Sequence, residues 1–272
     1  MKVREALNDA AARLADASAT PRLDAELLMA QALGVEREQM LLSRLDDAAP
    51  NAFDGLIERR EKGEPIAYMI GRRAFWTIEL EVGPGVLIPR PDSETLIEAA
   101  VAHFGKAGPK RVLDLGTGPG TLLLAALAEW PEASGLGIDA SEAALSYARR
   151  NAGRLGLSGR AEFRRGDWAE ALEERFDLIL CNPPYVGMDE ALPRDVADFE
   201  PAEALFAGAD GLDDYRRLAP QIPRLLARGG TACVEIGAGQ EQAVRLLFMR
   251  EGLKISQRKD LAGHVRCLVA AS

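Results

Sequence analysis

The run Lys110-Arg-Val-Leu-Asp-Leu-Gly-Thr-Gly-Pro-Gly120 constrains this chain more than any other stretch. It reads as a buried strand that enters a glycine-rich turn and continues into a helix over Thr121–Trp130. Glycines at 116, 118 and 120 permit a tight turn and bring a ligand close to the backbone. Their spacing is G-x-G-x-G, preceded by Asp114, whereas dinucleotide-binding loops prefer G-x-G-x-x-G. A carboxylate just before the loop can receive a cationic ligand. It poorly suits a pyrophosphate, which has to lie against the helix N-terminus.

The downstream strands extend this reading. Ala133–Asp139 ends in a carboxylate nineteen residues beyond Gly120. An acid at that strand end accepts hydrogen bonds from ribose hydroxyls, although an Asp there can equally cap the helix from Ser141 through Ala152. Ala161–Arg165 ends at Gly166-Asp167-Trp168, where an acid can meet an adenine amino group and an indole can flank the ring; Trp168 alone is also an ordinary packing residue. A neutral-to-cationic nucleoside such as S-adenosylmethionine suits these groups better than a dinucleotide.

Phe176–Cys181 then reads as a buried parallel strand that stops abruptly at Asn182-Pro183-Pro184-Tyr185. Two prolines fix φ and remove two backbone donors, which leaves the turn's carbonyls as acceptors. Asn182 adds a side-chain carbonyl and Tyr185 an aromatic face. Two acceptors beside a flat apolar surface suit a planar group bearing an NH2, either an amide or an amino-purine edge. The same tetrapeptide is also a plain Pro-Pro turn with a capping Asn. Strand–helix alternation places Asp114, Asp139, Asp167 and Asn182 at the C-terminal ends of four successive strands, the edge where open α/β sheets bind ligands.

A long insertion, Val186 to Asp213, follows and reads as a lid or binding loop. Beyond it the pattern predicts a helix over Asp214–Ala227, a strand over Thr231–Ile236, a helix over Gln240–Glu251, and strands near Lys254–Lys259 and Val265–Ala270. The last two join as a hairpin, so the final strand is expected to be antiparallel.

Before the glycine loop, the first seventy residues carry apolar side chains at helical spacing. Leu7, Ala11, Leu14 and Ala15 line a first helix. Thr20-Pro21 opens a second with Leu23, Leu27, Leu28 and Leu33 as its buried face, and Gly34 closes it. Short helices follow over Arg37–Leu42 and Pro50–Lys62. Such a bundle serves either as a structural cap or as a docking surface. Alternation of Phe75, Thr77, Glu79 and Glu81 against Trp76, Ile78, Leu80 and Val82 predicts a short strand pair. Arg90, between Pro89 and Pro91 and just before the helix-start signature Asp92-Ser-Glu-Thr, sits either at an active-site mouth or in a plain connector.

A net charge of −9 argues against sequence-blind binding to nucleic acid. Cys181, Cys233 and Cys267 are odd in number and far apart, without metal or disulfide spacing, and His103 and His264 stand alone. No metal is expected. The start lacks an apolar signal core, and Leu122 to Leu127 is too short to span a membrane, so a soluble cytoplasmic protein is the expectation.

Asp114-Leu-Gly-Thr-Gly118 with Asn182-Pro-Pro-Tyr185 resembles the amino methyltransferases that use S-adenosyl-L-methionine. More narrowly, the chain resembles bacterial release factor glutamine methyltransferases over almost its full length. Pro21–Leu28, Gly63–Tyr68, Val86–Pro91, Asp167-Trp168, Phe199-Glu-Pro201 with Ala204-Leu205, and Asp260–Gly263 all look like stretches of that family. Pro119 departs from it, where Ser or Thr is expected, as does the helix start Thr121-Leu-Leu-Leu.

The resemblance implies an α/β fold: a seven-stranded Rossmann-like methyltransferase sheet with its last strand antiparallel, plus a small N-terminal helical bundle. It divides the chain into a substrate-docking domain over 1–72, a β-hairpin linker over 73–90 and a methyltransferase domain over 91–272. Gly116, Thr117, Gly118, Pro119 and Gly120 would curve around the methionine part of the cofactor, with Asp139 on the ribose and Trp168 against the adenine. Asn182, also near the cofactor, would hold the substrate amide with the Pro183 carbonyl, and Pro184 and Tyr185 would complete the catalytic turn. The implied reaction methylates the Gly-Gly-Gln glutamine of peptide chain release factors; a monomer is the default expectation, and no membrane or direct nucleic-acid partner is expected. Alternatives are an adenine-amino methylase of DNA or RNA, a glutamine methylase of a ribosomal protein, and a binding module that keeps the nucleoside pocket without catalysis. A dehydrogenase ranks last on glycine spacing.

Overall fold

A computed structural model describes residues 1–170 and 172–271. The chain divides into two compact units, one of Met1–Arg72 with Leu192–Glu200, the other of Arg73–Ala191 with Pro201–Ser272.

The first unit holds α1 (Val3–Arg13), α2 (Pro21–Leu33), α3 (Arg37–Ser43), α4 (Ala52–Glu61) and α5 (Ile66–Ile70). Pro21 begins α2, and Gly34 ends it at φ 67°, in the left-handed region that glycine enters without a Cβ clash. Val3, Leu7, Leu14, Leu28, Met29, Met40, Phe53 and Ile57 form its apolar core. The buried stripe of α1 is Val3, Ala6, Leu7 and Ala10, so Ala15 is exposed rather than on the core face. Leu23 is exposed too: α2 packs through Ala25, Leu28, Met29 and Ala30, one register from the expected face, because it also buries Asp24 and Glu26 in ion pairs with Arg60 and with Arg22 and Arg37.

The second unit begins within β1 (Arg72–Phe75), which pairs with β2 (Ile78–Glu81) as a two-stranded hairpin. Trp76 sits in its turn at φ 53°, which puts Phe75 among the buried residues with Ile78 and Leu80 instead of opposite them. After α6 (Glu94–Phe104), the main sheet comprises β3 (Arg111–Leu115), β4 (Ser134–Asp139), β5 (Ala161–Arg165), β6 (Phe176–Cys181), then β7 (Leu226–Glu235), β8 (Lys254–Lys259) and β9 (Val265–Ala271). Its order is β5-β4-β3-β6-β7-β9-β8. The first five strands are mutually parallel, and β9 lies antiparallel between β7 and β8.

Crossovers run through α7 (Thr121–Glu129) and α8 (Glu142–Arg154), and α12 (Glu241–Arg250) returns the chain from β7 to the sheet edge. In the insertion, α9 (Arg194–Ala197) belongs to the first unit. The long helix expected over 214–227 is instead two short ones, α10 (Asp213–Leu218) and α11 (Ile222–Leu225). Pro223, which lacks an N–H, can sit only in a first turn, so the helix restarts there and β7 begins earlier than expected.

Because the chain winds from β3 to β4 and β5 on one side and then crosses to β6 and β7 on the other, β3 and β6 flank the switch point of the sheet. A crevice opens there, beyond the strands' carboxyl ends.

Candidate active site

Leu115 of β3 stands in register with Cys181 of β6, so the glycine loop and the Asn182 turn leave the sheet side by side. They border a cavity of about 250 Å³, which Asp139, Trp168, Arg90 and Pro201 also line. The sequence left Arg90 open between mouth and connector; it lines the cavity.

The loop is wired from within. Gly116 and Thr117 each donate a backbone N–H to Ile138 O at 2.9 Å. Gly116, Gly118 and Gly120 have φ of 71°, 56° and 88°, a region where a Cβ costs about 1–2 kcal/mol. A Cβ on Gly120 would meet Leu124 Cδ1 at 2.7 Å. The carbonyl of Pro119 accepts from Asn151 Nδ2 at 2.9 Å, and that buried amide also exchanges two hydrogen bonds with the Glu81 backbone, which ties β2 to the loop. Asp114 is 1% exposed. Its Oδ2 accepts from the Thr117 hydroxyl at 2.6 Å and from Leu123 N at 3.1 Å, while Oδ1 is buried with no hydrogen-bond partner within the protein. Burial pushes its carboxyl up to about 7 against the pull of those two donors.

Asp139 accepts from Gly118 N at 2.8 Å and Ser141 N at 2.9 Å, and burial raises its pKa against those donors. The cap of α8 is the Ser141 hydroxyl, which accepts from Ala144 N at 3.2 Å. Asp139 thus braces the glycine loop and lines the cavity without being the helix cap. Trp168 sits at φ 48°, an uncommon conformation for a bulky residue, with its ring against Gly116, where a Cβ would meet Cζ3 at 3.2 Å. Its Nε1 donates to Asp214 Oδ1 at 3.1 Å, which fixes the indole plane. Asp167 is held by Arg217.

In the turn, Asn182 Nδ2 donates to Ser93 Oγ at 3.1 Å. Asn182 and Pro184 line the cavity; Pro183 and Tyr185 do not. The Tyr185 hydroxyl is 3.3 Å from Glu235 Oε1, its N–H donates to Leu205 O at 3.2 Å, and its carbonyl accepts from Gln240 Nε2 at 2.9 Å.

Residues 5–71 match a family described as the PrmC N-terminal domain, and residues 107–253 match a methyltransferase domain. The chain is 47% identical over 256 residues to the release factor glutamine methyltransferase of Rhodospirillum rubrum, an alignment covering 92% of this chain and 78% of that one. To the enzyme of the same name from Caulobacter vibrioides it is 42% identical over 265 residues, covering 94% and 92%. The chain belongs to the release factor glutamine methyltransferase family. Among solved structures, a methyltransferase from Pyrococcus furiosus superposes with a TM-score of 0.55 at 18% identity, over 72% of this chain and 90% of that one, a likeness of fold. The sheet is the Rossmann-like methyltransferase sheet that the family implied, with its last strand antiparallel.

Several residues that brace the cavity wall and the Asn182 turn escaped the sequence reading: Ser93, Asn151, Asp214, Arg217, Glu235 and Gln240. Glu235 alone left a signal, as a lone charge inside the apolar run Ala232-Cys-Val-Glu-Ile236. The others look like ordinary surface polar residues until the fold brings them to the crevice. His103 and His264 are exposed and line no part of the cavity. Among the described residues no cluster could hold a metal ion, and no helix is long and apolar enough to cross a membrane.

Proposed function

We propose that this chain transfers a methyl group from S-adenosylmethionine to the side-chain amide nitrogen of the glutamine in the Gly-Gly-Gln motif of peptide chain release factors. The observation that carries the reading is the orientation of Asn182. With Nδ2 committed to Ser93, its Oδ1 is left as an acceptor beside the cavity.

The cavity fits the cofactor. Asp114, Asp139, Asp167, Glu203 and Asp214 line it against Arg90 and Arg217, a balance that favours a cation over a pyrophosphate. Asp114 Oδ1, buried and without a partner, suits an ammonium donor, and a Cβ on Gly118 would meet nothing within 4 Å, so ligand atoms can approach that Cα. Asp139 would hold the ribose and Trp168 the adenine face. S-adenosylmethionine supplies an electrophilic methyl on a sulfonium.

The protein's task is positioning. An amide nitrogen is a weak nucleophile because its lone pair is delocalised into the carbonyl. Asn182 Oδ1, on the cavity wall, would accept one N–H bond and aim the lone pair, and the Pro183 carbonyl and Tyr185, which do not line the cavity, would meet the glutamine outside it. Such near-attack positioning is worth several kcal/mol, about 7 in favourable cases. The amide proton can leave after transfer, consistent with a cavity that no histidine lines. Residues 1–72 would dock the release factor, with 73–90 as linker, and the enzyme would act as a cytoplasmic monomer without direct nucleic-acid contact, in keeping with its charge of −9.

The test is methyl transfer from labelled S-adenosylmethionine to a purified release factor, to the same factor with its Gly-Gly-Gln glutamine replaced, and to DNA. Label on the intact factor alone is expected. Label on DNA, or equal label on the altered factor, would overturn the substrate.

A further inference from the structure

Pro183 and Pro184 supply no N–H, so the Asn182-Pro-Pro-Tyr185 turn has no backbone donor between its first residue and its last. Its shape depends on how its downstream end is gripped. Tyr185 N donates to Leu205 O at 3.2 Å and Val186 N to the same oxygen at 2.9 Å, while the Tyr185 carbonyl accepts from Gln240 Nε2 at 2.9 Å. Gln240 stands at the N-cap of α12, a position that Ser, Thr, Asp or Asn would fill better. Its side chain makes no capping bond to that helix. The amide is spent on the turn instead.

We propose that Gln240 is the positioning residue of the Asn182-Pro-Pro-Tyr185 turn, its side-chain amide holding the Tyr185 carbonyl and thereby fixing where Asn182 stands for the substrate. The inference rests on the reading of Asn182 as the acceptor for the substrate amide.

The Gln240 amide can point only one way. Gly237 N donates to its Oε1 at 3.0 Å, and a backbone N–H can only donate. Nε2 therefore faces Tyr185 O at 2.9 Å and Gly211 O at 3.4 Å, two carbonyls that can only accept. Two glycines leave the room this side chain needs. A Cβ on Gly237 would meet Oε1 at 2.7 Å and Tyr185 Cδ2 at 3.0 Å, and one on Gly211 would run into the Tyr185 carbonyl and meet Nε2 at 2.8 Å. Tyr185 immediately precedes the long insertion and Gly211 lies near its end, so one NH2 group clamps both feet of that loop. Without the clamp the Tyr185 peptide is free to rotate, and two ring-locked prolines pass the rotation back to Asn182. A displacement of about 1 Å at the reacting groups is enough to cost about 100-fold in rate.

Steady-state methylation of a purified release factor with tritiated S-adenosylmethionine tests this on Gln240→Met, Gln240→Ala and Asn182→Ala. Methionine keeps the bulk of the side chain and removes both donors; alanine removes the bulk as well. Loosening the turn should lower kcat about 10- to 100-fold in both Gln240 variants. KM for the factor and calorimetric affinity for S-adenosylmethionine should stay within about twofold, a split that general loosening of the fold would not produce. Wild-type kcat in Gln240→Met, or a loss carried by KM alone, would overturn the proposal while Asn182→Ala remains inactive. Full activity in Asn182→Ala would instead overturn the reading beneath it. Should Gln240→Ala unfold more than about 10 °C early, Gln240→Met decides alone: an unchanged kcat rejects the proposal, and a tenfold loss at constant KM upholds it.

Discussion

Asn182 and Ser93 lie 89 residues apart in the chain, yet the Asn182 amide donates to the Ser93 hydroxyl at 3.1 Å. That bond commits one end of the amide to the protein at a residue that lines the crevice.

Asn182→Ala removes the presented acceptor and leaves the glycine loop intact. Turnover should fall about 100-fold or more, while calorimetric affinity for S-adenosylmethionine stays within about threefold. Equal losses in both would place Asn182 in cofactor binding instead.

Gly116→Ala asks for a Cβ at φ 71° and 3.2 Å from the Trp168 ring. Backbone strain of about 1–2 kcal/mol and a displaced indole should weaken S-adenosylmethionine at least tenfold. Trp168→Ala should weaken it similarly, because base–aromatic stacking is worth about 1–3 kcal/mol. Isothermal titration of both variants checks the pair, and unchanged affinity in Trp168→Ala would remove the indole from the adenine site.

Asp114 makes the ligand-free protein sensitive to pH. Burial holds its carboxyl at about 7 instead of 3.8, so between those values the folded chain keeps a proton that the unfolded chain has lost. Its contribution to stability is therefore full below about pH 4 and is lost as pH rises through 7, and Glu235, also raised to about 7 by burial, adds a loss of the same sign. Asp114→Asn should raise the unfolding midpoint at pH 8 by about 3–6 °C, change little at pH 4, and weaken S-adenosylmethionine. Calorimetric scans across that range decide it; a variant less stable at pH 8 would contradict the account.

In the helical unit, Arg60 Nε donates to Asp24 Oδ2 at 2.8 Å, and both residues are buried. Arg60→Ala strands the carboxylate, which costs about 3–5 kcal/mol. Amide hydrogen exchange across α1, α2 and α4 should quicken by about 100-fold or more. Exchange at the wild-type rate would mean that water or a rearranged side chain rescues Asp24.

Local pattern was enough to locate the parallel strands, the glycine loop and the acids and asparagine at the strand ends. A strand buried on both faces writes a continuous apolar run, as in Phe176–Cys181, and a residue such as Asp139 or Asn182 that ends such a run is marked by the break itself. Motif resemblance supplied the family from the same residues. Tertiary structure decided the rest. Which face of α2 is buried depended on ion pairs to Arg22, Arg37 and Arg60, and the break at Pro223 shifted β7. Above all, the partners that orient the site, Ser93 for Asn182, Asp214 for Trp168 and Glu235 for Tyr185, come from strands, turns and helices 46 to 89 residues away. Sequence periodicity records burial along one element, whereas a hydrogen bond between elements depends on the order in which the sheet stacks its strands.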